Sequence, residues 1–172
     1  MHLFPIVLSA LGLTVEMSLL SLFFTLLLST VVAIIRYYKV RGLFQLCSIY
    51  ITVFRATPLV AQLFILYFGF PSLIPAMKAM SAVQTTILAL TLNTAAFMAE
   101  TLRASIESVE DGQFEACYAM GMTRWQTMLR VVLPQAFVVA LPMLGNQFIG
   151  IVKGTALGFT IGLPDIIKKK KI

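Results

Sequence analysis

One long apolar stretch constrains this chain more than any other feature of its sequence. Residues 11–35 contain a single ionisable side chain, Glu16, and are followed at once by Arg36, Lys39 and Arg41. A helix needs about 20 mainly apolar residues to cross the hydrocarbon core of a bilayer. Basic and aromatic residues are typical of the point where a span leaves that core. The stretch therefore predicts a membrane-spanning helix.

The composition of the whole chain agrees with this interpretation. Of the 172 residues, 59% are hydrophobic and only 12% are charged, whereas about a quarter of the residues are charged in an average soluble domain. A soluble fold of this size would have to expose much of its apolar surface to water. We therefore expect a single integral membrane domain, residues 1–172, built as an all-α bundle of four or five spans.

Three further apolar segments provide the remaining spans. They cover about residues 59–77, 82–99 and 131–152. The first contains Pro71 and Pro75, so its helix either continues through these prolines or begins before Arg55. Residues 43–54 are compatible with an approach helix near the membrane surface. The strongly charged segment 100–130 is expected to be a connection outside the membrane.

The basic residues predict an orientation. An outer amino terminus leaves only Lys78 and Lys153 outside and places seven basic residues inside, namely Arg36, Lys39, Arg41, Arg55, Arg103, Arg124 and Arg130. The positive-inside rule favours this arrangement. Four spans would also place the lysines at 168–171 outside, against the same rule. Either a fifth crossing is missing, or the segment after Val152, with glycine at every fourth position, re-enters the membrane.

The residue pattern argues against catalysis, metal binding and nucleic-acid binding. The sole histidine is His2, and the two cysteines stand far apart, so neither a catalytic triad nor a zinc site is expected. Gly145 and Gly150 imitate the start of a phosphate-binding loop. However, Ile151 and Val152 occupy the positions where Lys and Ser or Thr are required. No basic stripe with interleaved aromatic residues indicates a nucleic-acid partner.

Three polar residues are candidates for a substrate path, namely Glu16 and Asn93 within spans and Lys153 just after the end of one. Polar groups inside a membrane are costly and often functional. Glu16 lies near the start of its span, where it can reach the outer interface instead. Asn93 could equally form an interhelical hydrogen bond, and Lys153 could be an interface anchor. Glu100 and Arg103, one turn apart, predict a local ion pair.

The charged connection contains the most specific pattern in the chain. Residues 110–120 can form a helix that begins with acidic side chains, and Gly121 is a suitable stop. A short helix between two spans would expose Phe114, Tyr118 and Met122. Such a surface is typical of a docking site for another protein.

This pattern resembles the cytoplasmic signature of the permease subunits of bacterial ATP-binding-cassette importers. That signature is Glu-Ala-Ala, three residues, Gly, nine residues and Ile-x-Leu-Pro, and every interval matches at Glu115, Ala116, Cys117, Gly121, Val131, Leu133 and Pro134. Cys117 and Val131 are small or isosteric replacements. Other segments look like the polar-amino-acid permeases of the histidine and glutamine type, namely residues 54–59, 67–69, 92–96, 112–113 and 153–157. The resemblance covers about residues 8–166.

The resemblance implies a function, partners and site residues. The segment around Gly112 to Gly121 would be a coupling helix in a cleft of a separate ATPase, which binds ATP and Mg²⁺. The coupling residues would be Gly112, Gln113, Glu115, Ala116, Cys117, Gly121, Leu133 and Pro134. Two permeases, identical or different, would form the path for a polar amino acid delivered by a periplasmic or lipid-anchored solute-binding protein. The chain would be a multi-pass protein of the bacterial cytoplasmic membrane, without a cofactor or enzymatic activity of its own.

Two other classes of function remain open. A channel or carrier that works without ATP is one, although the large docking loop and the few charges within the spans speak against it. A fragment that binds partner subunits without transporting is the other. Permeases of this type resemble five-span proteins, whereas this chain stops shortly after Lys153 and the residues that follow it. Its lysine-rich ending looks foreign to the pattern, as in a truncated or frameshifted product that lacks the last span.

Overall fold

The chain folds as a helical bundle, seen in a computed structural model that describes residues 3–162. Its helices are α1 (Leu3–Tyr37), α2 (Leu43–Ala56), α3 (Leu59–Leu73), α4 (Ala82–Glu107), α5 (Asp111–Ala119) and α6 (Arg124–Ile161). A 3₁₀ turn, Pro75–Ala79, joins α3 to α4. No strand occurs between residues 3 and 162. The predicted all-α membrane class is confirmed, while His2 and the terminal lysines lie outside the described residues.

Three of these helices, α1, α4 and α6, are long and apolar enough to cross a membrane. Helices α2 and α3 pass the same test only as a pair bent by 109°. The bend lies at Thr57 and Pro58. Because a residue before proline is driven out of the helical region, Thr57 is extended, with φ −111° and ψ 142°. The described residues therefore contain up to four spans.

The second span is not the single continuous helix that either sequence alternative describes. Helix α3 continues past Pro71 but ends at Leu73, so it does not pass through Pro75. Helix α2 includes Arg55, but the bend separates it from α3. Pro71 is tolerated because it occupies an early position in the final α-helical turn, Phe70–Leu73.

Helix α4 is longer than the apolar stretch that predicted it. It begins at a capping box, in which Ser81 and Gln84 exchange backbone and side-chain hydrogen bonds of 2.9 and 3.2 Å. It continues past Ala99 to Glu107, so the first part of the predicted connection 100–130 is helical. No proline or glycine interrupts residues 100–107.

Helix α4 packs closely along α1. Its buried face consists mainly of alanine and threonine, and α1 buries Ser18, Ser21, Thr25 and Ser29. Small side chains allow two helix backbones to approach within a membrane. One apolar cluster joins α1, α2 and α4 through Val32, Ala33, Ile51, Ala96 and Ala99. A second cluster, towards the start of α4, joins it to α1, α3 and α6.

The two ends of the bundle differ in charge. Arg36 at the end of α1 pairs with Glu100 near the end of α4, so these two helix ends lie on the same side. Helix α5 follows α4 on that side. We call the end that carries Arg36, Arg103 and α5 the basic end. Lys78 precedes α4 and therefore lies towards the opposite end.

The regular spacing of glycines along α6 does not form a continuous contact stripe. A Cβ at Gly154 would lie 2.5 Å from Leu90 Cδ2 and 3.6 Å from Leu59 Cδ2. A Cβ at Gly150 or Gly162 would meet no atom within 4 Å. Gly154 alone of these three therefore lets α6 approach α3 and α4.

Gly154→Val is expected to destabilise the bundle, because the new side chain must displace the fully buried Leu90. Overpacking of this kind costs about 1–3 kcal/mol. Thermal unfolding in detergent should show a lower Tm, which Leu90→Ala should partly restore in the double variant. Gly150→Val on the same helix is the matched control. Equal destabilisation by the two valine substitutions would contradict the packing argument.

Candidate functional site

The short helix α5 lies at the basic end, between α4 and α6. It begins after Glu110, and Asp111 lies in its first turn. A carboxylate at this position stabilises the positive end of the helix dipole. The backbone N–H of Gln113 donates to the carbonyl of Glu110 at 2.9 Å and closes the first turn. The helix predicted over residues 110–120 is therefore present, with Asp111–Ala119 as its bounds.

Gly121 terminates α5 through its backbone conformation. Its φ is +77°, a value that glycine adopts without the steric cost paid by other residues. The N–H of Gly121 donates to the carbonyl of Tyr118, and the N–H of Met122 donates to that of Cys117, both at 3.0 Å. These two bonds form a Schellman motif. The prediction that Gly121 stops the helix is confirmed. In a Schellman motif the glycine comes four residues after the residue whose carbonyl accepts the outer bond, and this is the spacing from Cys117 to Gly121.

The connection from α5 to α6 is short, and a reciprocal pair of hydrogen bonds holds the end at which α6 begins. Thr123 N donates to Gln126 Oε1 at 2.9 Å, and Gln126 N donates to Thr123 Oγ1 at 3.3 Å. With this capping box, α6 starts three residues after the glycine that ends α5. Because both helix ends are held by local bonds, we expect the connection to be stiff.

The inner face of α5 packs against the bundle. Phe114 is partly buried and packs against the cluster of Val109, Val132 and Ala136. Cys117 is 2% exposed. The prediction that Phe114 is presented for docking is therefore wrong, because its ring packs against α6 and against Val109 in the connection that follows α4. Met122 is also partly buried, whereas Tyr118 remains exposed as expected.

The opposite face of α5 is exposed and consists of small residues around one carboxylate. Gly112, Glu115, Ala116 and Ala119 follow helical spacing and share this face, which we call the α5 outer face. No ion pair joins Glu115 to Arg124 or to any other residue within 3–162. The face therefore offers an unpaired charge on a surface that another backbone can approach closely.

A π-helical turn, Met128–Val132, separates the start of α6 from Leu133 and Pro134. Leu133 N donates to the carbonyl of Met128, five residues earlier. Pro134 has no N–H and therefore cannot donate a backbone hydrogen bond within the helix. Gln135 Nε2 donates to the carbonyl of Val131 at 3.1 Å and lies 3.4 Å from Gln113 Oε1.

The predicted coupling residues thus fall into three groups. Gly112, Glu115 and Ala116 lie on the α5 outer face, whereas Cys117 faces the bundle and the exposed Gln113 lies 3.4 Å from Gln135 of α6. Gly121 ends the helix. Leu133 and Pro134 lie beyond the π turn, at the start of the regular part of α6. The structure therefore brings some of these residues to one surface and uses the others to hold that surface in place.

An ion-pair network lies beside α5 at the basic end. Glu100 accepts from Arg103, which confirms the predicted local pair, and Arg103 also pairs with Glu107 at 2.5 Å. Arg36 reaches Glu100 from α1 at 2.5 Å. The last contact could not be read from sequence spacing. Both carboxylates are engaged, so the network is an interhelical clamp and not a free ligand site.

Asn93 and Gln62 stabilise the bend between α2 and α3. Gln62 Nε2 donates to the carbonyl of Phe54 at 3.0 Å and to Thr57 Oγ1 at 2.7 Å. Asn93 Nδ2 donates to the same carbonyl at 3.2 Å and to Gln62 Oε1 at 3.1 Å. A broken helix in a membrane needs such partners for its freed carbonyl groups. Of the two alternatives for Asn93, the structure shows the interhelical hydrogen bond.

The other two path candidates lie elsewhere. Glu16 is exposed on α1 and Lys153 is exposed near the end of the α-helical part of α6. Neither forms an ion pair with another residue in the described range. The three predicted path residues are therefore not gathered into one site. Likewise, no group of three His, Cys, Asp or Glu side chains within residues 3–162 could hold a metal ion.

A partly polar cavity of about 450 Å³ lies between α2, α4 and α6. Arg55, Phe97, Glu100, Ser108 and Gln147 are among its lining residues. The Arg55 guanidinium lies 5.4 Å from the centre of the Phe97 ring, a cation–π contact. No described carboxylate lies within ion-pair distance of Arg55.

Neither Arg55 nor Gln147 was among the predicted path residues. The available signal for Arg55 was an arginine placed directly before a helix break within a broken span. Discontinuous spans often bind substrates at their broken ends. Gln147 gave no comparable signal, since its position on the cavity depends on how α6 packs.

Comparison with known proteins agrees with this architecture. The family described as "Binding-protein-dependent transport system inner membrane component" matches residues 25–168. The probable amino-acid ABC transporter permease protein PatM of Vibrio harveyi is 46% identical over 172 residues, which are all of this chain and 77% of that protein. The L-cystine transport system permease protein TcyB of Bacillus subtilis is 38% identical, over 96% of this chain and 69% of that protein.

A solved structure described as an amino acid ABC transporter with histidines is also similar. It superimposes with a TM-score of 0.84 and 33% sequence identity, covering 96% of this chain and 76% of the other. The chain thus spans about three quarters of the length of PatM and of this structure. The chain belongs to the family of binding-protein-dependent transport system inner membrane components, the permeases whose signature the segment around Glu115 resembles.

Proposed function

We propose that this chain is the permease subunit of an ATP-driven importer of polar amino acids and that α5 is its coupling helix. One observation carries the proposal: α5 presents a small-residue face with an unpaired glutamate while its other face packs against α6 and the connection after α4. The named relatives are amino-acid permeases, which supports the substrate class. The basic end then faces the cytoplasm, in accordance with the positive-inside rule.

The α5 outer face is where a separate ATPase docks. Gly112, Ala116 and Ala119 carry no bulky group, so the walls of a cleft can approach the helix backbone. Glu115 can accept charge-assisted hydrogen bonds from basic side chains of the partner. ATP and Mg²⁺ belong to that partner.

The connection at Gly121 to Thr123 makes α5 a lever on α6. Because the connection is short and capped on both sides, displacement of α5 also displaces the start of α6. Helix α6 crosses the bundle and packs against Leu90 at Gly154. An ATP-driven change in α5 can therefore bias two packings of the spans, as alternating access requires.

The cavity beside Arg55 is our candidate for the substrate path. The Arg55 guanidinium forms no ion pair within the described residues, although the charge of Glu100 in the same cavity acts on it. It can bind the α-carboxylate of an amino acid, and the amide of Gln147 adds a hydrogen-bonding group. The position of Arg55 at the end of α2 places it at the break of the second span. A second permease, identical or different, completes the path, and an external solute-binding protein delivers the amino acid.

Glu115→Lys tests the coupling assignment. The change reverses the only charge on the α5 outer face, so we expect at least a tenfold loss of ATPase bound to the permease, corresponding to about 1.4 kcal/mol or more. Co-purification of the tagged permease with its ATPase measures this. Glu16→Lys, the same substitution on an exposed glutamate of α1, should leave binding unchanged. Undiminished ATPase binding by Glu115→Lys would refute the assignment.

A further inference from the structure

A second, almost wholly apolar groove of about 480 Å³ lies between α1, α4 and the start of α6. Its lining residues include Ile34, Tyr38, Leu102, Ile106, Trp125 and Leu129. None of them belongs to the α5 outer face or to the cavity beside Arg55. The proposed transport function therefore leaves this groove unexplained.

The groove extends from the membrane interior to the membrane surface. Thr30 and Ala33 line it within the apolar stretch of α1, and Tyr37 and Tyr38 line it where α1 ends. Trp125, which is 68% exposed, belongs to α6 and lines the groove from that helix. Tyrosine and tryptophan are enriched at the level of lipid headgroups. One end of the groove therefore lies among acyl chains and the other among headgroups.

Three unpaired basic residues directly neighbour, in the chain, residues that line the groove. Lys39 follows Tyr38 in the chain, Arg124 precedes Trp125 and Arg130 follows Leu129, and all three are exposed. No ion pair within residues 3–162 involves them. Nearby Glu107 is already paired with Arg103. Asp111 also interacts electrostatically with Tyr37, but its single negative charge does not balance the three cations.

We propose that this groove binds a phospholipid with an anionic headgroup. One acyl chain occupies the apolar groove, and the phosphate lies among Lys39, Arg124 and Arg130. Basic pockets between spans on the cytoplasmic side typically bind anionic headgroups. The combination of an apolar groove, interfacial aromatic residues and unpaired cations fits this occupant, whereas an apolar protein segment would leave the cations without a partner.

Trp125 provides the test, because it is the single tryptophan of the chain. The full chain is reconstituted in vesicles that contain phospholipids brominated on one acyl chain, which quench tryptophan fluorescence on contact. Brominated phosphatidylglycerol should quench Trp125 at several-fold lower mole fraction than brominated phosphatidylcholine. Circular dichroism of each sample verifies the helical fold.

The double variant Lys39→Gln with Arg124→Gln should lose most of this preference, because each removed cation contributes up to about 1 kcal/mol of attraction to an anionic headgroup, a factor of roughly five. The matched control is Lys78→Gln with Lys153→Gln, which removes two exposed lysines and should keep the preference. Equal quenching by the two lipids in the unsubstituted chain would overturn the proposal. So would an unchanged preference in the first variant, or protection of Trp125 from both lipids by a second copy of the chain.

Discussion

Gly121→Val is expected to lower ATP-driven amino-acid uptake by at least tenfold while the spans remain folded. The φ of +77° at this position is unfavourable for a β-branched residue, and holding one there costs about 1–3 kcal/mol. The chain relieves this strain at the lowest free-energy cost by breaking the two Schellman hydrogen bonds donated by the N–H groups of Gly121 and Met122. Helix α5 then loses its fixed orientation relative to α6. Uptake of labelled substrate into vesicles that contain the permease with its partner subunits measures the effect.

Two further variants separate the backbone effect from a simple loss of glycine. Gly121→Asn should retain much of the activity, because asparagine tolerates the left-handed conformation better than valine does. Gly150→Ala should be nearly neutral, since its Cβ would meet no atom within 4 Å. Wild-type uptake by Gly121→Val, with normal assembly, would show that the end of α5 does not set the coupling.

Arg55→Gln is expected to lower uptake of an amino acid by at least tenfold without weakening ATPase binding. Arg55 is a cavity-lining cation that forms no ion pair within the described residues, so its removal takes away the group that would bind the substrate carboxylate. A lost charge-assisted hydrogen bond costs about 1.5–3 kcal/mol. Uptake measured over a range of substrate concentrations should show the loss mainly in KM.

The decisive comparison uses substrates with and without the carboxylate. The unsubstituted permease should prefer an amino acid over its amide, Arg55→Gln should lose that preference, and Arg55→Lys should keep part of it. Arg41→Gln removes an exposed basic residue outside the cavity and is the matched control. If Arg55→Gln still discriminated between acid and amide as strongly as the unsubstituted protein, Arg55 would not bind the carboxylate.

Hydropathy alone was enough to locate the regular spans. Residues 11–35, 82–99 and 131–152 fall within α1, α4 and α6, because a long apolar stretch in lipid must satisfy its backbone groups internally, and a helix does this. Helix ends were less predictable. The end of α4 at Glu107 depends on charged residues that hydropathy assigns to a loop, yet their i, i+3 and i, i+4 ion pairs are compatible with a helix.

The site was predictable where its determinants are local. Gly121 as a stop follows from the conformational freedom of glycine, and the acidic start of α5 follows from the helix dipole. Phe114 was misassigned to the docking surface because its exposure depends on where α4 and α6 lie. The roles of Asn93 and Arg55 depended in the same way on the position of the bent second span.

The amino-acid sequence by itself determined the membrane class, the regular spans, the start and stop of α5 and the spacing of the permease signature. All of these depend on hydropathy or on bonds between residues a few positions apart. Only the tertiary structure decided which face of α5 is free, that Arg36 clamps Glu100, that Asn93 supports a bend and that Arg55 lines a cavity. These properties arise from contacts between helices distant in sequence, and neither helix carries a local signal of its partner's position.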